Sequence, residues 1–140
     1  MSPVSSHKFA HELASRFSEV VPGAIDVTAD GDTVRLAMAG RYIGASAAAS
    51  LIEEEDRRPE MDRLVDAAIA VLSELQDDLM VHFRAEWPRD GQGRVGYPDA
   101  SILAGQLFLW YGPSYEAAVV RLRPIMVAVL EGRPPPASPL

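Results

Sequence analysis

The chain has 140 residues, 48% apolar and 24% charged, the balance of one globular domain that buries its own core. Lysine and arginine number 13 against 20 aspartates and glutamates, and the net charge of −7 disfavours phosphate backbones and anionic membrane surfaces as partners. Cysteine is absent, which excludes a disulfide framework and any thiolate metal site.

The opening Met1-Ser2-Pro3-Val4-Ser5-Ser6-His7-Lys8 has no apolar signal-like region. The longest apolar runs, 67–72 and 125–130, fall far short of the ~20 residues that cross a bilayer. A cytoplasmic protein with no membrane partner is expected. Lys8 is the only lysine and there is no asparagine, a usage that avoids A-rich codons and fits a GC-rich bacterial genome.

Residues 5–21 predict an amphipathic helix, with Phe9, Leu13, Phe17, Val20 and Val21 at helical spacing. Ser5 or Ser6 caps its start and Pro22-Gly23 ends it. Residues 24–39 predict a hairpin. Ile25 and Val27, then Val34, Leu36 and Met38, alternate with polar or small residues around Asp30-Gly31. Residues 45–56 predict a short Ala-rich helix ending in Glu53-Glu54-Glu55-Asp56.

Residues 59–84 predict the longest helix, with Pro59 at its start and a stripe of Met61, Leu64, Val65, Ala68, Leu72, Leu75, Leu79 and Phe83. Between Ala67 and Leu72 it is apolar on every side and needs cover on two faces, from its own chain or a second subunit. Residues 86–100 read as a loop, 102–111 as a strand and 117–123 as a second strand. Pro124 argues against one helix through 115–131. A short element of open type follows at 125–130, and 133–140 is a Pro-rich tail with little reason to fold. The expected fold is α+β: residues 1–132 form a single domain. In it an antiparallel sheet of two hairpins packs on an N-terminal helix, a short Ala-rich helix and one long helix.

No motif forces a chemistry. His7 and His11 share one face of the first helix, and Glu74, Asp78 and His82 share one face of the long helix. If these faces met, His7, His11, Asp78 and His82 would make a divalent-metal site, the alternative to a chain with no cofactor. Gly91-Gln92-Gly93-Arg94-Val95-Gly96 matches the dinucleotide spacing but lacks the flanking strand and helix. Gly44-Ala45-Ser46 resembles a nucleophile elbow without its last glycine, so Ser46 is better read as a cap. The acidic run lacks the alternation and central glycine of a calcium loop.

Partner binding is the leading expectation. Ala67, Ala70 and Val71 offer an apolar helix face, Glu53, Glu54, Glu55 and Asp56 would steer a basic partner, and Trp87 and Tyr97 are loop aromatics suited to recognition. Phe108 and one of Trp110 and Tyr111 are expected to fill the core, because adjacent strand residues face opposite ways. The enzymatic alternative places a pocket between the long helix and the aromatic strands, with His82, Asp78, Trp87 and Arg121 as its polar groups. In element order and acidity the chain is similar to the general plan of type III secretion chaperones. That resemblance implies a non-catalytic dimer holding a partner chain. A helix at 45–56 would stand where that plan has a third strand.

Overall fold

The computed structural model describes residues 3–53 and 58–132. The fold is α+β. Helix α1 (Ser6–Ser18) leads into strands β1 (Ile25–Asp30), β2 (Thr33–Met38) and β3 (Arg41–Ser46), followed by a 3-10 helix (Ala48–Glu53). The long helix α2 (Glu60–Phe83) precedes β4 (Pro98–Leu103) and β5 (Gln106–Tyr111). Two short strands, β6 (Val120–Arg121) and β7 (Ile125–Met126), and a single-turn helix α3 (Val127–Leu130) complete it.

The strands form two antiparallel sheets rather than one. The first has the order β1-β2-β3; in the second, β5 lies between β4 on one side and β6 and β7 on the other. Helix α2 packs along the outermost strands β3 and β4, covering edges that would otherwise recruit another strand. Helix α1 packs across β1 and β2 and against the 3-10 helix. All of these elements feed one core, built around Phe9, Leu13, Phe17, Leu36, Leu72, Leu75, Leu107, Leu109 and Tyr111.

The expected Ala-rich helix over 45–56 is corrected. Its first residues finish strand β3, and only 48–53 are helical, in the tighter 3-10 form; Glu54, Glu55 and Asp56 lie outside the described residues. Alanine's helix preference, a fraction of a kcal/mol per residue, loses here to pairing of Arg41–Ser46 with β2. The turn into β3 is Ala39-Gly40, both at positive φ (51° and 78°). The same pair, Ala104-Gly105 (52° and 76°), joins β4 to β5. The strand expected over 102–111 is therefore a hairpin, and its first strand reaches back into the expected loop at Pro98. Glycine favours this left-handed geometry; alanine rarely adopts it, so neither turn announces itself in the sequence. The strand expected over 117–123 shrinks to Val120–Arg121, and 125–130 divides into β7 and α3.

Two local expectations stand. Ser5 caps α1, accepting the Lys8 N–H at 3.2 Å, and the 24–39 hairpin is β1-β2 in full register. No helix among the described residues is long and apolar enough to cross a membrane.

Candidate functional site

The expected metal ligands are dispersed. His7, His11 and His82 are all exposed. His7 leans over the β1-β2 turn at Gly31, whereas His82 stacks edge-on against Phe83 at the end of α2. Asp78 faces β3 instead. Among the described residues no group of three or more histidine or acidic side chains is placed to hold a metal ion.

The pocket expected between α2 and the aromatic strands is occupied by core. The Tyr111 hydroxyl donates to the Leu72 carbonyl at 2.7 Å, and Leu75, Leu79, Leu107 and Leu109 are fully buried. Burial drives the Tyr111 hydroxyl well above its ordinary pKa, aided by the nearby Asp77 charge, so it is a structural donor and not an acid at work. Trp87 is no exposed recognition residue: its ring packs edge-on against Phe17 and Tyr111, at 5.9 and 5.2 Å between centroids. Arg121 lies elsewhere, its guanidinium 5.3 Å from the Tyr115 ring centre. The four polar groups of the enzymatic alternative therefore do not share a cleft.

Ala67 and Val71 are corrected as partner contacts, since both are fully buried by the chain itself. Ala70 keeps partial exposure, as do Ile69, Ser73 and Met80 on the outward face, and Val81 beside them is 78% exposed. Tyr97 is 71% exposed. Glu53 has a structural task, because its carboxylate accepts from the Ser6 hydroxyl (2.8 Å) and the Ser6 N–H (3.3 Å).

Two constellations were not foreseen. The first joins β3 to α2. The Ser46 hydroxyl donates to Glu74 at 2.5 Å and accepts the Ala48 N–H at 3.2 Å, so Ser46 caps the 3-10 helix while tying it to α2. Beside it Asp78 accepts the Ala45 N–H with one contact, and its Oδ2 is buried without a hydrogen-bond partner. Desolvation raises the Asp78 pKa, and the Glu74 and Asp77 charges raise it further, against the Ala45 hydrogen bond.

The second lies on the outer face of the β4-β5-β6 sheet. Leu107, Leu109 and Tyr111 point inward from β5, so Phe108 and Trp110 point out. The loop after β5 folds back and sets Tyr115 edge-on against both, at 5.0 Å from Phe108 and 6.1 Å from Trp110. The result is an open slot of about 210 Å³. Its rings are joined by Leu103 and Pro113, with Ser101, Ser114 and Glu116 at its rim. The polar tips of its aromatics are already used: Trp110 Nε1–H donates to the Gly112 carbonyl (3.1 Å) and the Tyr115 hydroxyl to the Leu122 carbonyl (3.0 Å). What remains for a visitor is ring surface. Leu103, 70% exposed, extends that surface toward the β4-β5 turn. Phe108 is thus not core filling, and of the Trp110-Tyr111 pair it is Tyr111 that enters the core. The signal was the strict inward–outward alternation of 107–111 together with Tyr115 a few residues on. What hid it was that any buried-looking aromatic is more often core than site.

Compared with known proteins, the chain matches no family model, no curated protein and no solved structure.

Proposed function

We propose that this chain is a non-enzymatic protein-binding module that holds a segment of a partner polypeptide against the outer face of its second sheet. The observation that carries this reading is the Phe108-Trp110-Tyr115 slot, an open groove in which Phe108 and Tyr115 are half-exposed and Trp110 is 7% exposed, with the hydroxyl and indole groups tied to the protein's own backbone. Such rings offer large, rigid contact area at low entropic cost and suit side chains of a passing chain better than a reacting small molecule. The dispersal of the three histidines speaks against acid–base or metal chemistry at a shared centre.

The third strand, expected as a helix, brings the element order into line with the chaperone plan that the sequence resembled, which favours the same class of activity. Self-association is a second reading. It is favoured by the outward stripe of α2, where Ile69, Ala70 and Met80 are half-exposed and Val81 stands in solvent, with the exposed Asp62, Asp66 and Asp77 spaced along the same helix. Native mass spectrometry of untagged protein purified without chelator tests the non-enzymatic assignment. The bare chain or its dimer, free of metal and small molecule, is the expected result. A stoichiometric metal or retained metabolite would overturn it.

A further inference from the structure

The slot offers more than apolar surface, and its polar atoms are of one kind. We infer that it takes an arginine side chain of the partner segment, with the guanidinium laid against the rings and its N–H groups turned to the carboxylates of Asp99 and Glu116. This rests on the slot being a polypeptide-binding surface, and it adds the residue that the surface recognises.

Three features carry it. The first is layout. Phe108 and Trp110 of β5 form the floor of the slot, Ser101 and Leu103 of β4 form one bank, and Tyr115 and Glu116 of the returning loop form the other. A cavity of about 210 Å³ holds one long side chain rather than a folded element.

The second is charge. Glu116 belongs to the lining, and Asp99 stands directly across the β4-β5 ladder from Trp110, on the same outer face. Both residues are exposed and border the rings from opposite banks. Among the described residues no lysine, arginine or histidine lines the slot. Arg121 approaches Tyr115 from β6, its guanidinium 5.3 Å from the ring centre, and donates to the Glu116 carbonyl at 3.1 Å. The Tyr115 ring thus already carries one cation, and a ligand arginine repeats that contact from the slot. The carboxylates of Asp99 and Glu116 against the single guanidinium of Arg121 leave this face negative.

The third is the match of donors to acceptors. Trp110 and Tyr115 direct their own N–H and O–H to the Gly112 and Leu122 carbonyls. The polar atoms left toward the slot are the oxygens of Glu116 and of the Ser101 and Ser114 hydroxyls, with those of Asp99 beside Trp110. A guanidinium has N–H donors and no acceptor, so each of these oxygens suits it. Its planar face also stacks on an aromatic ring, which the compact ammonium of lysine does not do.

The test uses the full chain and peptides from a random-sequence display library. Peptides that bind wild type and are lost on the Phe108→Ser, Tyr115→Ser variant are resynthesised with each arginine replaced in turn by citrulline, its neutral isostere. Binding is measured on wild type and on Asp99→Asn, Glu116→Gln. Both positions are exposed, and asparagine keeps an acceptor for the Ala100 N–H that Asp99 now holds at 2.8 Å. Asp26→Asn, Asp30→Asn on the exposed face of the first sheet removes the same charge elsewhere. One citrulline should weaken binding to wild type and to the first-sheet variant by about tenfold. On Asp99→Asn, Glu116→Gln the loss should shrink to less than about threefold. Slot-dependent peptides without arginine, no effect of citrulline, or an undiminished effect on Asp99→Asn, Glu116→Gln would overturn the inference while leaving a polypeptide-binding slot in place. Recovery of no slot-dependent peptide would overturn both.

Discussion

Gly44 lies directly beneath Asp78: a Cβ built on Gly44 would stand 2.3 Å from both Cγ and Oδ2 of the aspartate. Strand β3 therefore meets α2 where the strand has no room for a side chain. Gly44→Ala should cost about 1–3 kcal/mol in chemical denaturation, the usual penalty of overpacking. Asp78→Gly clears the space at about 1 kcal/mol of helix propensity, so the double variant should be no less stable than Gly44→Ala alone. Costs that simply add would contradict this contact.

The same carboxylate makes stability depend on pH in an unusual direction. Burial, with Glu74 and Asp77 adding to it, raises the pKa of Asp78 in the folded protein above its unfolded value. The folded state thus holds this proton more tightly. The group's contribution is most favourable at acid pH and is lost as pH rises from about 3.9, the ordinary aspartate value, through its own raised value. Asp78→Asn keeps an acceptor for the Ala45 N–H and removes the charge. Thermal unfolding should find the asparagine variant more stable than wild type at neutral pH, with the gap closing as the solution is acidified. A variant less stable at pH 7 would mean that the Ala45 hydrogen bond outweighs desolvation.

Gln76 holds the long connection between α2 and β4. Its buried amide donates to the Trp87 carbonyl at 3.0 Å and the Gly96 carbonyl at 2.7 Å. Gln76→Leu strands both carbonyls, at about 2–4 kcal/mol in all. Strand β5 is held by its own ladder to β4 and by the Tyr111–Leu72 hydrogen bond, so hydrogen exchange should rise across 85–97 while the amides of β5 keep their protection. Equal loss of protection in β5 would show that the clamp supports the whole second sheet.

How much of this was legible follows from which signals are local. The α1 cap, the 24–39 hairpin and the extent of α2 depend on spacing and on residues with strong conformational habits, and they read directly. Strand β3 and the β4-β5 hairpin were hidden because each depends on an Ala-Gly turn at positive φ. In addition, Ala45 and Ser46 serve a strand only through pairing with β2 and contact with α2. The apolar girdle of α2 was read correctly as needing two-sided cover, but the cover is the chain's own: β3 lies along one side and β4 along the other, so Ala67 and Val71 are core. The slot was half legible. Alternation set Trp110 and Tyr111 on opposite faces, whereas the fold-back that brings Tyr115 over Phe108 is a tertiary event with no spacing to betray it.

The most direct measurement is selection of peptides from a random-sequence display library on wild-type protein and, in parallel, on a Phe108→Ser, Tyr115→Ser variant checked for folding by circular dichroism. Both residues are only half-buried, so the fold should survive their loss. Peptides enriched on wild type and at least tenfold weaker on the variant are the expected result. Failure to enrich any peptide, or equal binding to both proteins, would contradict a polypeptide-binding slot on the second sheet.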